Sequence, residues 1–133
     1  MIVTLLSPEK SLYLGLKVEI LIKISLDYPF MAPRMIILTP IKHLRVSPRD
    51  GHLNIRALDV DWHPVIKLAY IAYKASDELF CTPTNIQVSE AMTSGQSSEL
   101  IDIANRSLDE YSDVVAKHSQ SIINKEVPMR SIW

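Results

Sequence analysis

The chain reads as an α+β fold in which a small antiparallel meander sheet comes first and helices follow to cover one of its faces. Two observations carry that reading. From Lys17 to Leu26 the even positions Val18, Ile20, Ile22, Ile24 and Leu26 are all apolar, and Glu19, Lys23 and Ser25 fall between them. That period of two belongs to a strand with one buried face. After Pro64 the apolar spacing changes to three and four, through Leu68, Ile71, Ala72, Ala75 and Leu79, the period of an amphipathic helix. Strands followed by helices make an α+β domain.

Each element has its own warrant. Arg34 to Leu38 is a second short apolar run between Pro33 and Pro40. Because prolines flank these runs and do not interrupt them, strand, turn and strand is the simplest arrangement. Pro64 suits the first turn of the following helix, where its missing N–H needs no partner. That helix is expected to end near Cys81, ahead of Pro83. A second helix is expected after Gly95, capped by Ser97 or Ser98, with Glu99 and Asp102 near the positive end of its dipole. Its buried stripe is Ala104, Leu108, Tyr111, Val115 and His118. The domain spans residues 1–121, and 122–133 form an unpatterned tail expected to be extended or poorly ordered.

Composition narrows the function classes. The chain has 133 residues, 47% hydrophobic and 22% charged, which is enough for one core and ordinary for a globular domain. A formal net charge of −1 gives no electrostatic footprint for nucleic acid or an anionic membrane, so neither is expected as a partner. One cysteine makes no internal disulfide, and no signal peptide or membrane-length apolar run is present. These features point to a reducing compartment, cytoplasmic, nuclear or both. Asn105-Arg106-Ser107 matches a glycosylation acceptor, which without a secretion signal is read as chance.

Several motifs, taken in order, carry a resemblance. SPEKSLYLG (Ser7 to Gly15) matches a Gly-Pro-x-x-Ser-x-Tyr-x-Gly turn, with serine for the first glycine. YPFMAP (Tyr28 to Pro33) is similar to Tyr-Pro-Phe-x-Pro-Pro, and TPIKHLRV (Thr39 to Val46) sits where a His-Pro-Asn tripeptide is expected. His43 survives there, while Leu44 and Arg45 replace the proline and asparagine. Gly51 precedes Asn54 by three residues, Trp62 and Pro64 follow it, and FCTPTN (Phe80 to Asn85) looks like a Leu-Cys-Asp-Pro-Asn segment. Together these motifs resemble the ubiquitin-conjugating enzyme family from about Val3 to Ala91. The resemblance implies that family's fold, without the helix that precedes its first strand; either the protein lacks that helix or the sequence is a truncated product.

The resemblance also places Asn54 where the family carries its ubiquitin-accepting cysteine. A thiolate attacks acyl groups readily, whereas an amide nitrogen does not. The chain is therefore read as a catalytically inactive variant, a binding module without cofactor or metal. Its implied partners are an active conjugating enzyme, ubiquitin or a ubiquitin ligase. His43, Arg45 and Asn54 are the degenerate catalytic positions. His43 is expected to hold its loop by hydrogen bonds, and Arg45 to be a solvated loop residue. Phe30 matches the family phenylalanine that enters the groove of a ubiquitin ligase, and Pro64, with His63 beside it, matches the family's second ligase-contacting loop; the alternative is that Phe30 caps the core. Trp62 is expected in the core. His43, His52, His63 and Asp59 fit no zinc spacing. Cys81, the single thiol, is expected to be buried and unreactive, since a helix C-terminus raises a thiol pKa. Transfer through Cys81 as a displaced nucleophile is the alternative function.

Overall fold

A computed structural model describes residues 1–59, 61–81, 84–93 and 99–125. Three strands, β1 (Ile2–Leu6), β2 (Lys17–Lys23) and β3 (Arg34–Ile37), form an antiparallel meander in the order β1-β2-β3. Register sorts the side chains. Val18, Ile20 and Ile22 share a face with Val3, Leu5, Met35 and Ile37, and this face joins the core. Ile2, Thr4, Leu6, Lys17, Glu19, Leu21 and Ile36 lie on the other.

The expected strand stops short of Ile24 and Leu26, both of which are exposed, Leu26 completely. Pairing explains the correction. β3 begins at Arg34 opposite Lys23, so residues beyond Lys23 have no partner strand and no buried face. The chain turns instead, with the Ser25 hydroxyl accepting from the Asp27 N–H at 3.2 Å.

Between β1 and β2 the Ser7–Gly15 turn folds over Pro8, whose carbonyl accepts from the Ser11 N–H, the Ser11 hydroxyl and the Gly15 N–H. Gly15 has φ +78°, where a side chain would be strained, and a Cβ there would meet the Glu9 side chain at 3.3 Å. Tyr13, at the centre of the turn, is buried against Phe80 and His43 and donates to the Lys42 carbonyl at 3.0 Å.

Among the described residues a 3-10 turn (Arg56–Leu58) and four α-helices follow: α1 (Leu68–Phe80), α2 (Asn85–Thr93), α3 (Glu99–Arg106) and α4 (Leu108–Ile123). Ile71, Ala75 and Leu79 of α1 and Tyr111 and Val115 of α4 are fully buried in the same cluster as the inner sheet face. α1 starts later than expected, after Lys67, because residues 63–66 close a turn in which the Ile66 N–H bonds to the His63 carbonyl at 2.9 Å. The single late helix is in fact two, divided at Ser107, whose hydroxyl caps α4 by accepting from the Glu110 N–H. The expected caps Ser97 and Ser98 lie outside the described residues. α4 runs to Ile123, so the first two residues assigned to the tail are helical, and Ile122 is buried.

Helix α2 was not foreseen. Thr84 opens it by accepting the Gln87 N–H on its hydroxyl and the Val88 N–H on its carbonyl. Thr84 to Gln87 therefore has the Thr-x-x-Gln form of a capping box. No described helix is long and apolar enough to cross a membrane.

Candidate functional site

The segment from His43 to Asn54 folds back along the β3 edge of the sheet. Leu53 donates to Met35 and Ile37 donates to Gly51, both at 2.8 Å, so the segment extends the β3 edge. Gly51, at φ +79°, makes the reversal that allows Val46 to pair with Leu53. The Asn54 N–H then donates to the Arg45 carbonyl at 2.7 Å. The position that resembles the tripeptide asparagine and the one that resembles the acceptor are thus joined through their backbones.

His43 is the hinge of this arrangement. Its Nε2 lies 3.0 Å from the Glu78 carbonyl, and its Nδ1 accepts the Arg45 N–H at 2.9 Å. Those partners define a neutral ring that donates from Nε2. Burial, with the Arg45 charge adding to it against the Glu78 bond, lowers its pKa to about 4. The histidine clasps the loop to the end of α1, as its expected structural role requires.

Arg45 is not solvated. It is 3% exposed, and Nη1 sits 3.5 Å from Glu90 Oε2 on α2. Its Nε and Nη1 are buried without a hydrogen-bond partner among the described residues. The sequence reading failed here because Glu90 belongs to the unforeseen helix. Without α2 there was nothing to draw a guanidinium inward, and a buried arginine needs a counter-charge.

Asn54 is half-buried at the edge of an open cleft of about 420 Å3, whose walls include Met31, Pro33, Arg34, Asp59 and Trp62. Trp62 is partly buried against the core, and its indole N–H donates to the Pro29 carbonyl at 3.0 Å. Its ring lies 6.1 Å from that of Tyr28. Trp62 therefore ties the loop bearing Phe30 to the segment that follows Asn54. A second cavity of about 470 Å3 lies behind the His43–Val46 backbone, against Leu100, Ile103 and Val114 of the late helices.

Phe30 points outward at 81% exposure and does not cap the core; His63 and Pro64 are also exposed. Met31 and Val65, which sequence reasoning passed over, are large exposed apolar residues next to these positions in the chain, Val65 at 77%.

Cys81 is exposed, which corrects its expected burial. α1 ends at Phe80, and Leu79 fills the inner position instead. The sulfur is 3.0 Å from the Gln87 amide nitrogen. Partial burial, with the Glu78 and Asp77 charges adding to it, pushes the thiol above its ordinary value against that Gln87 hydrogen bond. The direction matches the sequence expectation, and the thiolate fraction at neutral pH is small. No group of three His, Cys, Asp or Glu side chains among the described residues is arranged to hold a metal ion.

Comparison with known proteins places this geometry. The chain is 35% identical over 72 residues to a probable ubiquitin-conjugating enzyme of Acanthamoeba polyphaga mimivirus, covering 53% of this chain and 45% of that protein. It is 37% identical over 78 residues to a ubiquitin-conjugating enzyme of Schizosaccharomyces pombe, covering 57% and 35%. It thus spans less than half the length of these curated relatives. A Toxoplasma gondii ubiquitin conjugating enzyme domain superposes with a TM-score of 0.70 at 17% identity, covering 90% of this chain and 77% of that one, a likeness of fold. The family model for the ubiquitin-conjugating enzyme matches residues 1–118, and the chain belongs to that family.

Proposed function

We propose that this protein is a catalytically inactive member of its family, a binding and regulatory module in a ubiquitin or ubiquitin-like modifier pathway of the cytoplasm or nucleus. The observation that carries the reading is Asn54, an amide at the position where the resemblance expects the accepting thiol. Two others support it. Arg45 is drawn into an ion pair with Glu90, 3.5 Å away, so its charge is committed to the scaffold and is not free to meet an oxyanion. The one thiol in the chain is held protonated.

Binding falls to the exposed rim formed by Phe30, His63 and Pro64, with Met31 and Val65 beside them. The partner is an active conjugating enzyme, ubiquitin or a ligase. Exposed aromatic anchors commonly dominate such contacts. The experiment is a charging assay with activating enzyme, ATP and ubiquitin. No reductant-sensitive adduct is expected, and an adduct lost on Cys81→Ser overturns the proposal. The competing reading, transfer through Cys81, has that residue's exposure in its favour, and the same variant decides it. Asn54→Cys alone is expected to leave discharge to free lysine undetectable, because Arg45 stays paired with Glu90 and groups acting as a unit do not recover singly.

A further inference from the structure

The two edges of the sheet are treated differently. The β3 edge is occupied, since Ile37 donates to Gly51 and Leu53 donates to Met35. β1 is the other edge. Met1 and Ile22 exchange backbone bonds, and Ser7 donates to Leu16. In an antiparallel ladder such pairs recur at every second residue. Val3 and Leu5 therefore turn their N–H and C=O groups toward β2, while those of Ile2, Thr4 and Leu6 turn away from it. Nothing among the described residues pairs with them there.

This edge lacks the usual protections. Ile2-Val3-Thr4-Leu5-Leu6 carries no charge, no proline and no bulge, and strands of that composition invite another strand. The outward side chains match the outward backbone: Ile2 is 51% and Leu6 67% exposed.

We propose that β1 is a self-pairing edge, through which two copies of this chain join antiparallel about a two-fold axis at Thr4. The register is self-complementary. Thr4 faces Thr4 of the second copy, and Ile2 and Leu6 face Leu6 and Ile2. Each of these three pairs presents a free N–H and C=O from both chains, so each exchanges two bonds. The exposed Ile2 and Leu6 side chains cover one another across the seam, threonines meet at its centre, and no like charges oppose. The two meanders become one continuous sheet. This self-association is independent of the function proposed above and leaves the Phe30 rim free for a partner.

Sedimentation velocity on the full chain over a dilution series is expected to show a reversible monomer–dimer equilibrium. Thr4→Lys places two ammonium groups at the dyad and weakens dimerisation by at least about tenfold, since opposed like charges cost several kcal/mol. Because Thr4 is exposed, the thermal midpoint of the monomer stays unchanged. Amide exchange at Ile2, Thr4 and Leu6 slows as concentration rises, while exchange at Val3 and Leu5 is protected throughout. A chain that remains monomeric at its highest soluble concentration overturns the proposal. So does a dimer indifferent to Thr4→Lys, which uses another face, or protection at Thr4 that persists on dilution, which means the edge is already covered within one chain.

Discussion

The loop from His43 to Asn54 and the rim around Phe30 have opposite characters. The loop turns its central polar groups inward: His43 onto Glu78, Arg45 onto Glu90, and the Arg45 carbonyl onto the Asn54 N–H. The rim turns its apolar groups outward, with Phe30, Met31 and Val65 in solvent. Trp62 ties the rim to the segment that follows Asn54 by its bond to the Pro29 carbonyl. The difference teaches where each kind of substitution will register. Changes in the loop act on stability, because they strand buried polar groups. Changes in the rim act on association, because they touch nothing the fold depends on.

The largest effect should come from Glu90→Ala. It leaves Arg45 buried without a counter-charge, and breaking a buried pair costs about 3 kcal/mol or more. Replacing both partners, with Arg45→Leu and Glu90→Ala together, should recover most of that loss in denaturant unfolding, since Nε and Nη1 of Arg45 are already buried without a hydrogen bond among the described residues. A double variant no better than the single would mean that the loop depends on the charge itself.

Next is acid. His43 is held neutral with a pKa lowered to about 4, against about 6.5 in the unfolded chain. The unfolded state therefore binds a proton between those values while the folded state does not. Its contribution is fully present above pH 6.5 and is lost as pH falls toward 4, a change of about 3 kcal/mol. Unfolding free energy measured across that window should fall with pH, and His43→Gln should flatten the slope. A slope unchanged by the substitution would place the titration on another group.

On the rim, Phe30→Ala should cost ~2 kcal/mol or more in partner binding and under about 0.5 kcal/mol in stability. Titration calorimetry against the partner and thermal unfolding read the two quantities separately. A midpoint lowered by many degrees would make Phe30 part of the fold and collapse the contrast. The smallest effect concerns Cys81, at the C-terminal end of α1. It should be labelled in the native protein, being exposed, yet more slowly than a free thiol, because its pKa is raised. Glu78→Gln removes one of the charges that raise it and should speed labelling slightly.

Much of this was legible in the residues. The alternation at Val18, Ile20 and Ile22 dictated a strand and its buried face, because a one-residue slip would expose all three. The spacing of Ile71, Ala75 and Leu79 likewise dictated a helix and its inner side. Motif order from Ser7 to Asn85 identified the family and put His43 in its clasping role. The helix opened by Thr84 and the division at Ser107 were also written there, as Thr-x-x-Gln and Ser-x-x-Glu, and only the longer-period pattern obscured them. Other features rest on residues far apart in sequence. Ile24 and Leu26 continue the alternation but have no strand opposite them. Arg45 is indistinguishable from a surface arginine until α2 brings Glu90 to it from 45 residues away. The openness of the β1 edge depends on what the rest of the chain leaves unpaired. Local periodicity determines which face of an element is apolar; only the assembled fold decides which polar groups find a partner, because burial and charge pairing are properties of what packs alongside.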